Sequence, residues 1–461
     1  MLKLEPNQVF PILKKHMLVD GFDDMVIDLQ KSQGCYIYDS LNKRQLLDLF
    51  GFFATTPVGH NHPAMHTQEF KDKILSVAIM KPSNSDFYSA EMAEFVESFS
   101  KHAIPEHMPH LFMVSGGALA VENALKAAFD WKIRKNFQKG QKEEKGTQVI
   151  HFKEAFHGRT GYTLSMTNTA DARKTKYFPK FNWPRITNPK IAFPLNEANL
   201  RNVEALEEQA IQEIQEAIDN NPDDIAAIII EPIQGEGGDN HFRRKVFQSL
   251  RQIADEHDIL LIFDEVQTGV GLTGEMWCFQ HFGVKPDLMA FGKKTQVCGF
   301  LCSRRIEEVE NHVFQEASRI NSTWGGNLVD MVRFRKYLEI IITENLIENA
   351  KKVGQYFLGE LQSFEKEFEG QVSNVRGRGL MIAFDLPTGT RRTEFLNAAF
   401  RKGMIALGCG QRSVRFRPAL NLTESIVDDA LEIIRTSLRE ILDVEEGRVG
   451  VSEADEAKYE L

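Results

Sequence analysis

The chain is 461 residues long, 42% hydrophobic and 26% charged, with a formal net charge of −10. That size suits one large domain with a smaller companion, and the balance is that of an ordinary soluble globular protein. An acidic chain without a long basic block makes nucleic acid a poor partner, and no run approaches the ~20 apolar residues a membrane span needs.

The five cysteines, Cys35, Cys278, Cys298, Cys302 and Cys409, are scattered. Only Cys298 and Cys302 are close, and no second pair completes a zinc site, so no metal is expected. They read as free thiols in a reducing cytosol, which makes the expected location cytoplasmic. The N-terminal MLKLEPNQVFPILKKH lacks an apolar core and a small-residue cleavage site, so it does not read as a signal peptide.

Residues 1–60 read as an entry segment followed by strands at 34–39 and 45–50. Residues 52–63 are loop-like and 81–86 form a turn cluster. A strand at 111–114 runs into Ser115-Gly116-Gly117-Ala118 and then into helical periodicity. Backbone N–H groups and the dipole at such a helix start attract anions, although the same pattern also serves as a tight turn with no ligand. A strand at 149–152 leads into AFHGRT. Here an aromatic can stack on a flat ring and an arginine can fork onto a carboxylate. Read alone, Phe156 suits the core, and Arg159 the solvent, better than a ligand site. Residues 161–201 look irregular, and 204–220 form an amphipathic helix. The buried strand 225–230 ends on EPIQGEGG, where Gly235, Gly237 and Gly238 permit close approach or positive φ. A helix at 246–256 follows. Strand and helix alternate over 110–300, which implies an α/β fold with a mostly parallel sheet.

The apolar run 259–263 ends on Asp264-Glu265, and a second run, 288–291, stops at Gly292-Lys293. Lys293 follows Asp264 by 29 residues, room for one crossover. In a parallel pair both charges then stand at one carboxyl edge, where open α/β sheets bind ligands. A lysine amine can form a Schiff base with a carbonyl cofactor, and a carboxylate can keep a pyridine nitrogen protonated. Each charge alone also reads as an ordinary strand end. Beyond 330 come a long helical run at 329–361, a strand at 379–385, a helix at 392–402, a strand at 414–417 and a helix at 424–442. Residues 443–461 are an acidic tail.

The pattern DEVQTG-x-G-x-TG followed by PD-x4-GK resembles the signature of the class III pyridoxal-phosphate aminotransferases. The resemblance spans about 50–418. Within the family it is nearest the lysine 6-aminotransferase group, through KPSNSD, SGGALAVENALKAAFDW, EPIQGEGGD, FGKKTQVCG, STWGGN and VRFRP. It implies an α/β fold of type I, pyridoxal 5′-phosphate as cofactor, and a homodimer with shared active sites. The implied layout is an N-terminal segment (1–60) joining a small α+β domain (331–442), a large cofactor domain (61–330) and the tail. Lys293, directly after the glycine, becomes the Schiff-base lysine in preference to Lys294, and Asp264 the pyridine partner. Gly117 and Ala118 would take the cofactor phosphate, Phe156 would stack on the ring, and Thr323 would reach the phosphate of the other subunit. Gln267 would contact the ring oxygen or a bound oxo acid, and residues 55–59 would line the pocket. L-Lysine and 2-oxoglutarate would be the substrates and L-glutamate a product. Arg159 would hold the carboxylate of lysine and Arg415 the α-carboxylate of 2-oxoglutarate. Glu236 would be a retractable partner that neutralises Arg415. Ornithine and 4-aminobutyrate enzymes share most of these residues, so the donor stays open.

Two other nucleotide-binding patterns fail. ILLIFDE resembles a Walker B strand, but G-x4-GK-[ST] would need glycine at Asp287 and Ser or Thr at Lys294. The Gly235 run lacks the last glycine of a dinucleotide fingerprint. A non-catalytic protein that kept the fold is disfavoured because every expected chemical position is filled.

Overall fold

A computed structural model of the chain describes residues 4–445. Two short strands, β1 (Tyr36–Asp39) and β2 (Arg44–Asp48), pair antiparallel near the start. The central sheet follows, built from β3 (His110–Val114), β4 (Gln148–Phe152), β5 (Arg185–Ile186), β6 (Ile225–Ile230), β7 (Leu260–Asp264), β8 (Leu288–Phe291) and β9 (Cys298–Cys302). Their order is β3-β9-β8-β7-β6-β4-β5. All are parallel except β9, which runs against both its neighbours.

The inner strands β6, β7 and β8 are apolar throughout except for the Asp264 that ends β7, as strands covered on both faces must be. Ile228, Ile230, Leu261, Phe263, Met289 and Phe291 turn to one face, where Phe247 of the Arg244–Glu256 helix meets Phe263 with ring centroids 5.4 Å apart. Ala227, Ile229, Leu260, Ile262 and Leu288 turn to the other face. There the Gly117–Gln138 helix presents Ala120, Ala124 and Ala128, and these small side chains let its backbone lie close to the sheet. The carboxyl ends of β3, β4, β6, β7 and β8 therefore share one edge, the ligand edge of such sheets.

The last part of the chain forms a second sheet from β10 (Ser373–Arg378) and β11 (Met381–Asp385), followed by β12 (Met404–Ile405), β13 (Leu407–Cys409) and β14 (Ser413–Phe416). Its order is β10-β11-β14-β13, all antiparallel. β12 instead pairs parallel with β2, so the first hairpin and the C-terminal region share a three-stranded sheet.

Several elements differ from expectation. The helix expected at 204–220 begins at Glu197, because the Asn196 side chain caps it by accepting from Asn199 N at 2.9 Å. The run expected at 329–361 is two helices, Leu328–Thr343 and Leu346–Glu367, broken at Asn345 with φ 53°. Asparagine tolerates that left-handed conformation better than most residues. The crossover from β7 to β8, where the sequence after a Gly-rich turn has helical character, contains no α-helix. It is a run of turns with one 3₁₀ turn, Cys278–His281, tied down where Glu265 accepts from Cys278 N and Phe279 N. β9, β10 and the Gln68–Ala78 and Ala90–His102 helices went unanticipated. Of the expected acidic tail, residues 446–461 lie outside the described residues. Among the described residues no helix is long and apolar enough to cross a membrane.

Candidate active site

Asp264 closes β7 level with Ala290 of β8, and Lys293 stands just past β8. Both therefore lie at the same edge. No hydrogen bond from the Lys293 amine is found among the described residues. Nζ lies 5.8 Å from the Phe53 ring centroid, and Arg415 Cζ lies 5.8 Å from that same centroid. Burial, and then the charges of Arg415 and Arg417, lower the Lys293 amine to about 8 against the pull of Asp264 and Glu231. Lys294 is in the opposite situation. It is buried, and its Nζ donates to Gln267 O at 2.8 Å and Ala54 O at 3.4 Å. Of the two adjacent lysines, only Lys293 offers an uncommitted amine.

The Asp264 carboxylate is fixed on both oxygens. Oδ2 meets His157 Nδ1 at 2.8 Å and Oδ1 accepts from Val266 N at 3.1 Å. Burial works against a charge on His157, but the hydrogen bond to Asp264 and the charges of Asp264 and Glu231 hold its pKa above the usual value. Glu231, just past β6, accepts from Phe156 N at 2.8 Å and Gly235 N at 3.1 Å, and burial pushes its pKa up. The Phe156-His157 turn is thereby pinned across the sheet edge. His157 was missing from the expected site residues. Its neighbours in sequence carry no sign that it meets an aspartate 107 residues away.

The Gly117–Gln138 helix starts at this edge with Gly116 as its N-cap, which provides no side-chain cap bond. The first intrahelical bond is Ala120 N to Gly116 O at 3.0 Å, so the N–H groups of Gly117 and Ala118 are left for an outside acceptor. Gly158 (φ 121°) lies so near that a Cβ there would collide with Ala118 Cβ. Gly117 in turn packs on Val266, where an added Cβ would come 3.0 Å from Cγ1. Three segments distant in sequence thus converge on one spot. Arg159 follows the Phe156 turn and is exposed.

On the other side of Lys293, Glu236 Oε2 accepts from Arg415 Nη2 at 2.7 Å, and Oε1 is bonded to Lys174 Nζ. Burial opposes the charge of Glu236, but Arg415 and Lys174 hold its carboxyl below the usual range. Arg415 Nε is buried with no partner among the described residues. Arg417, two residues on, donates through Nε to Gln267 Oε1 at 2.9 Å and through Nη1 to Asp239 Oδ2 at 2.8 Å. The Gln267 oxygen is thus taken, and its NH₂ is the end left to donate. Gly238 takes a positive φ of 136°, while Gly235 and Gly237 instead make room for the Gln267 side chain and Glu154 O.

Gly51, Phe52, Phe53 and Ala54 all have positive φ, at 54°, 50°, 59° and 70°. A left-handed turn costs each non-glycine residue about 1–2 kcal/mol. This one sets the Phe53 ring near both cations, with its centroid 5.8 Å from Lys293 Nζ and from Arg415 Cζ. In the stretch expected to line the pocket, 55–59, the Thr55 carbonyl accepts from Gln296 Nε2 at 2.9 Å, three residues along from Lys293.

Thr323 stands apart. Its carbonyl accepts from Ser83 Oγ at 2.6 Å, and no hydrogen bond or ion pair joins it to Lys293, Asp264 or Arg415. Among the described residues no group of His, Cys, Asp and Glu could hold a metal ion.

A sequence profile of the aminotransferase class-III family matches residues 19–438. The L-lysine-epsilon aminotransferase of Mycobacterium tuberculosis is 49% identical over 434 residues, covering 94% of this chain and 96% of that protein. That of Streptomyces clavuligerus is 45% identical over 437 residues, covering 94% and 95%. The solved structure of a lysine aminotransferase from M. tuberculosis in the internal aldimine form superposes with a TM-score of 0.93. It is 48% identical and covers 95% of this chain and 100% of that one. The chain belongs to the class III aminotransferases.

As a class III aminotransferase it is a pyridoxal 5′-phosphate enzyme of fold type I. The site suits that group at three points. The uncapped helix start suits a phosphate, the fixed Asp264 carboxylate suits a protonated ring nitrogen, and the uncommitted Lys293 amine suits a carbonyl.

Two results are expected here. His157→Phe removes a charge-assisted hydrogen bond from Asp264 and should weaken cofactor binding about tenfold or more, read by titrating the cofactor-free protein. The Lys293 amine, lowered to about 8, becomes neutral and nucleophilic only as pH rises through that value. The rate at which cofactor-free protein captures pyridoxal phosphate should therefore climb from pH ~7 to ~9 and then level off. A flat absorbance-monitored profile over that range would count against the lowered value.

Proposed function

We propose that the chain is an L-lysine 6-aminotransferase. It moves the ε-amino group of L-lysine to 2-oxoglutarate, giving L-glutamate and 2-aminoadipate 6-semialdehyde, which cyclises to 1-piperideine-6-carboxylate. The observation that carries this is the pairing of both arginines beside Lys293, Arg415 with Glu236 and Arg417 with Asp239. An α-amino acid brings a carboxylate next to its reacting carbon and needs an open arginine there. A site with neutralised arginines favours an amine on a plain methylene, such as Cε of lysine. The relatives named for lysine ε-transamination, at 45–49% identity, support the same donor.

Pyridoxal phosphate, when bound, supplies the carbonyl that takes up the amino group and the ring that accepts the electron pair of the broken C–H bond. Lys293 holds that carbonyl between turnovers. Once displaced, its Nζ takes the proton from Cε of lysine and, in the return half-reaction, delivers one to Cα of the new glutamate. Asp264, steadied by His157, supplies the negative charge for the ring nitrogen. Gly117 and Ala118 N–H groups hold the phosphate, Phe156 faces the ring, and the Gln267 NH₂ donates to the ring oxygen or a bound oxo acid. Arg159 holds the lysine carboxylate. Glu236 masks Arg415 for lysine and leaves it when 2-oxoglutarate brings an α-carboxylate.

The site is completed in a homodimer, with Thr323 of one protomer serving the phosphate site of its partner. In support, the Thr323 loop is ringed by apolar side chains left open in the single chain. Ile79 is 80% exposed, Met80 71%, Phe87 75%, Tyr88 81% and Trp324 48%. Lys81 Nζ lies 3.4 Å from the Trp324 ring centroid, and Ser85 is bonded to Ser322 O, so the two loops are tied together. Contiguous apolar surface of this kind marks an interface. A cytoplasmic location is supported by the five cysteines, all free and buried.

The test uses purified protein with pyridoxal phosphate, 2-oxoglutarate and each of L-lysine, ornithine and 4-aminobutyrate. Glutamate is measured, and the cyclised semialdehyde is trapped with o-aminobenzaldehyde. Lysine should give the highest rate and a trapped adduct. A higher rate with another amine would move the donor, and no glutamate from any amine would end the reading.

A further inference from the structure

Lys174, on the far side of Glu236 from Arg415, has no part in the reaction as described. It closes a short turn, Ala172–Lys174. Asp171 organises that turn. Its Oδ1 accepts from Arg173 N at 3.1 Å, and its carboxylate takes Arg173 Nε at 2.9 Å and Nη2 at 3.2 Å. This local pair holds Arg173 outward, its side chain 84% exposed, and Lys174 turns the other way, 25% exposed. Lys174 Nζ lies 5.9 Å from the Phe156 ring centroid, which sets it at the mouth of the site. One carboxylate is thus shared oxygen by oxygen. Arg415 holds Oε2 and Lys174 holds Oε1.

We propose that Lys174 is a positioning residue for the acceptor half-reaction. It keeps hold of Glu236 while Arg415 receives the α-carboxylate of 2-oxoglutarate. This rests on the reading that Glu236 masks Arg415. A carboxylate that left its only partner would stand unpaired in a partly buried place, and such a charge is strongly disfavoured. With Lys174 already on its other oxygen, Glu236 goes from two partners to one. The two cations suit different tasks. Arg415 is buried on β14 and fixed in place, whereas Lys174 is a flexible amine on an irregular segment and can follow a moving carboxylate. When lysine is the substrate, Glu236 stays on Arg415 and Lys174 has nothing to compensate. The two half-reactions should therefore depend on Lys174 unequally. A structural ion pair would affect both alike or neither.

The experiment follows the two half-reactions of the holoenzyme separately, by the absorbance of the bound cofactor in single turnovers. In Lys174→Met, kcat/KM for 2-oxoglutarate should fall about tenfold while that for L-lysine stays within about twofold. Lys174→Arg should restore most of the loss. In a Glu236→Ala background, Lys174→Met should add nothing, since no carboxylate remains to be held. Equal losses in both half-reactions, or none with 2-oxoglutarate, would overturn the proposal. Glu236→Ala alone separates the two ideas. If it shifts preference from lysine toward α-amino acids while Lys174→Met acts evenly, only the role of Lys174 is lost. If it leaves the preference between lysine and glutamate unchanged, the masking of Arg415 is lost, and Lys174 with it.

Discussion

Lys293→Ala is expected to lower turnover with L-lysine and 2-oxoglutarate at least ~10⁴-fold, because one amine both anchors the cofactor and carries the proton. The fold should survive, since that amine makes no hydrogen bond that its loss would break. Lys294→Met is the control. The Lys294 amine is spent on Gln267 O and Ala54 O, and burial, with Lys293 and Arg417 nearby, pushes it well below the usual lysine range. Its removal should keep activity within about tenfold of the parent, since it alters only support for the Gln267 segment. Borohydride reduction followed by mass spectrometry reads both variants. The parent and Lys294→Met should gain the mass of the cofactor, and Lys293→Ala should not. A covalent adduct at Lys294 in the absence of Lys293 would reverse the assignment.

Arg415→Ala should divide the reaction in two. The 2-oxoglutarate half-reaction should fall ~10²–10³-fold, the usual loss when a buried arginine that grips a carboxylate is removed. The lysine half-reaction should change less than about tenfold, since Arg415 only has to be kept out of its way. Glu236 would not be stranded in this variant, because Lys174 still holds its other oxygen. Separate single-turnover measurements with each substrate decide the matter. Equal losses in both directions would mean that Arg415 supports the site as a whole and does not select the acceptor.

The chemistry legible in the sequence lay where a strand simply stops. Two apolar runs ending on Asp264 and Gly292-Lys293 needed only the parallel pairing of β7 and β8 to become neighbours. The Gly117 turn was legible for the same reason. Less visible were residues whose meaning comes from a partner far along the chain. His157 reads as a core histidine until Asp264 is beside it. Lys174 and Arg173 are adjacent cations that only the Asp171 turn tells apart. Arg417 was passed over for Arg415, although it stands only one residue past β14. The left-handed turn at Phe52-Phe53 has no local signal beyond Gly51, since apolar residues rarely adopt it. Tertiary contacts impose it. Asn345 split a seamless helical pattern for a similar reason, through one backbone angle that periodicity cannot express.

That left-handed turn also bears on when the protein can work. Arg417 N donates to Leu49 O at 2.6 Å, a Cβ on Gly51 would strike Arg417 O, and Asn421 Nδ2 reaches Val58 O at 3.1 Å across 363 residues. The segment carrying Phe53 is thus braced by residues that follow β14, near the C-terminal end of the described chain. A nascent chain with its central sheet already assembled would own Lys293 and Asp264 but neither Arg415 nor the contacts that brace the Phe53 segment. Contacts between such distant segments form late and slowly. If Arg415 sorts the substrates as proposed, selection belongs to the finished polypeptide and is acquired after the reactive lysine is already in place.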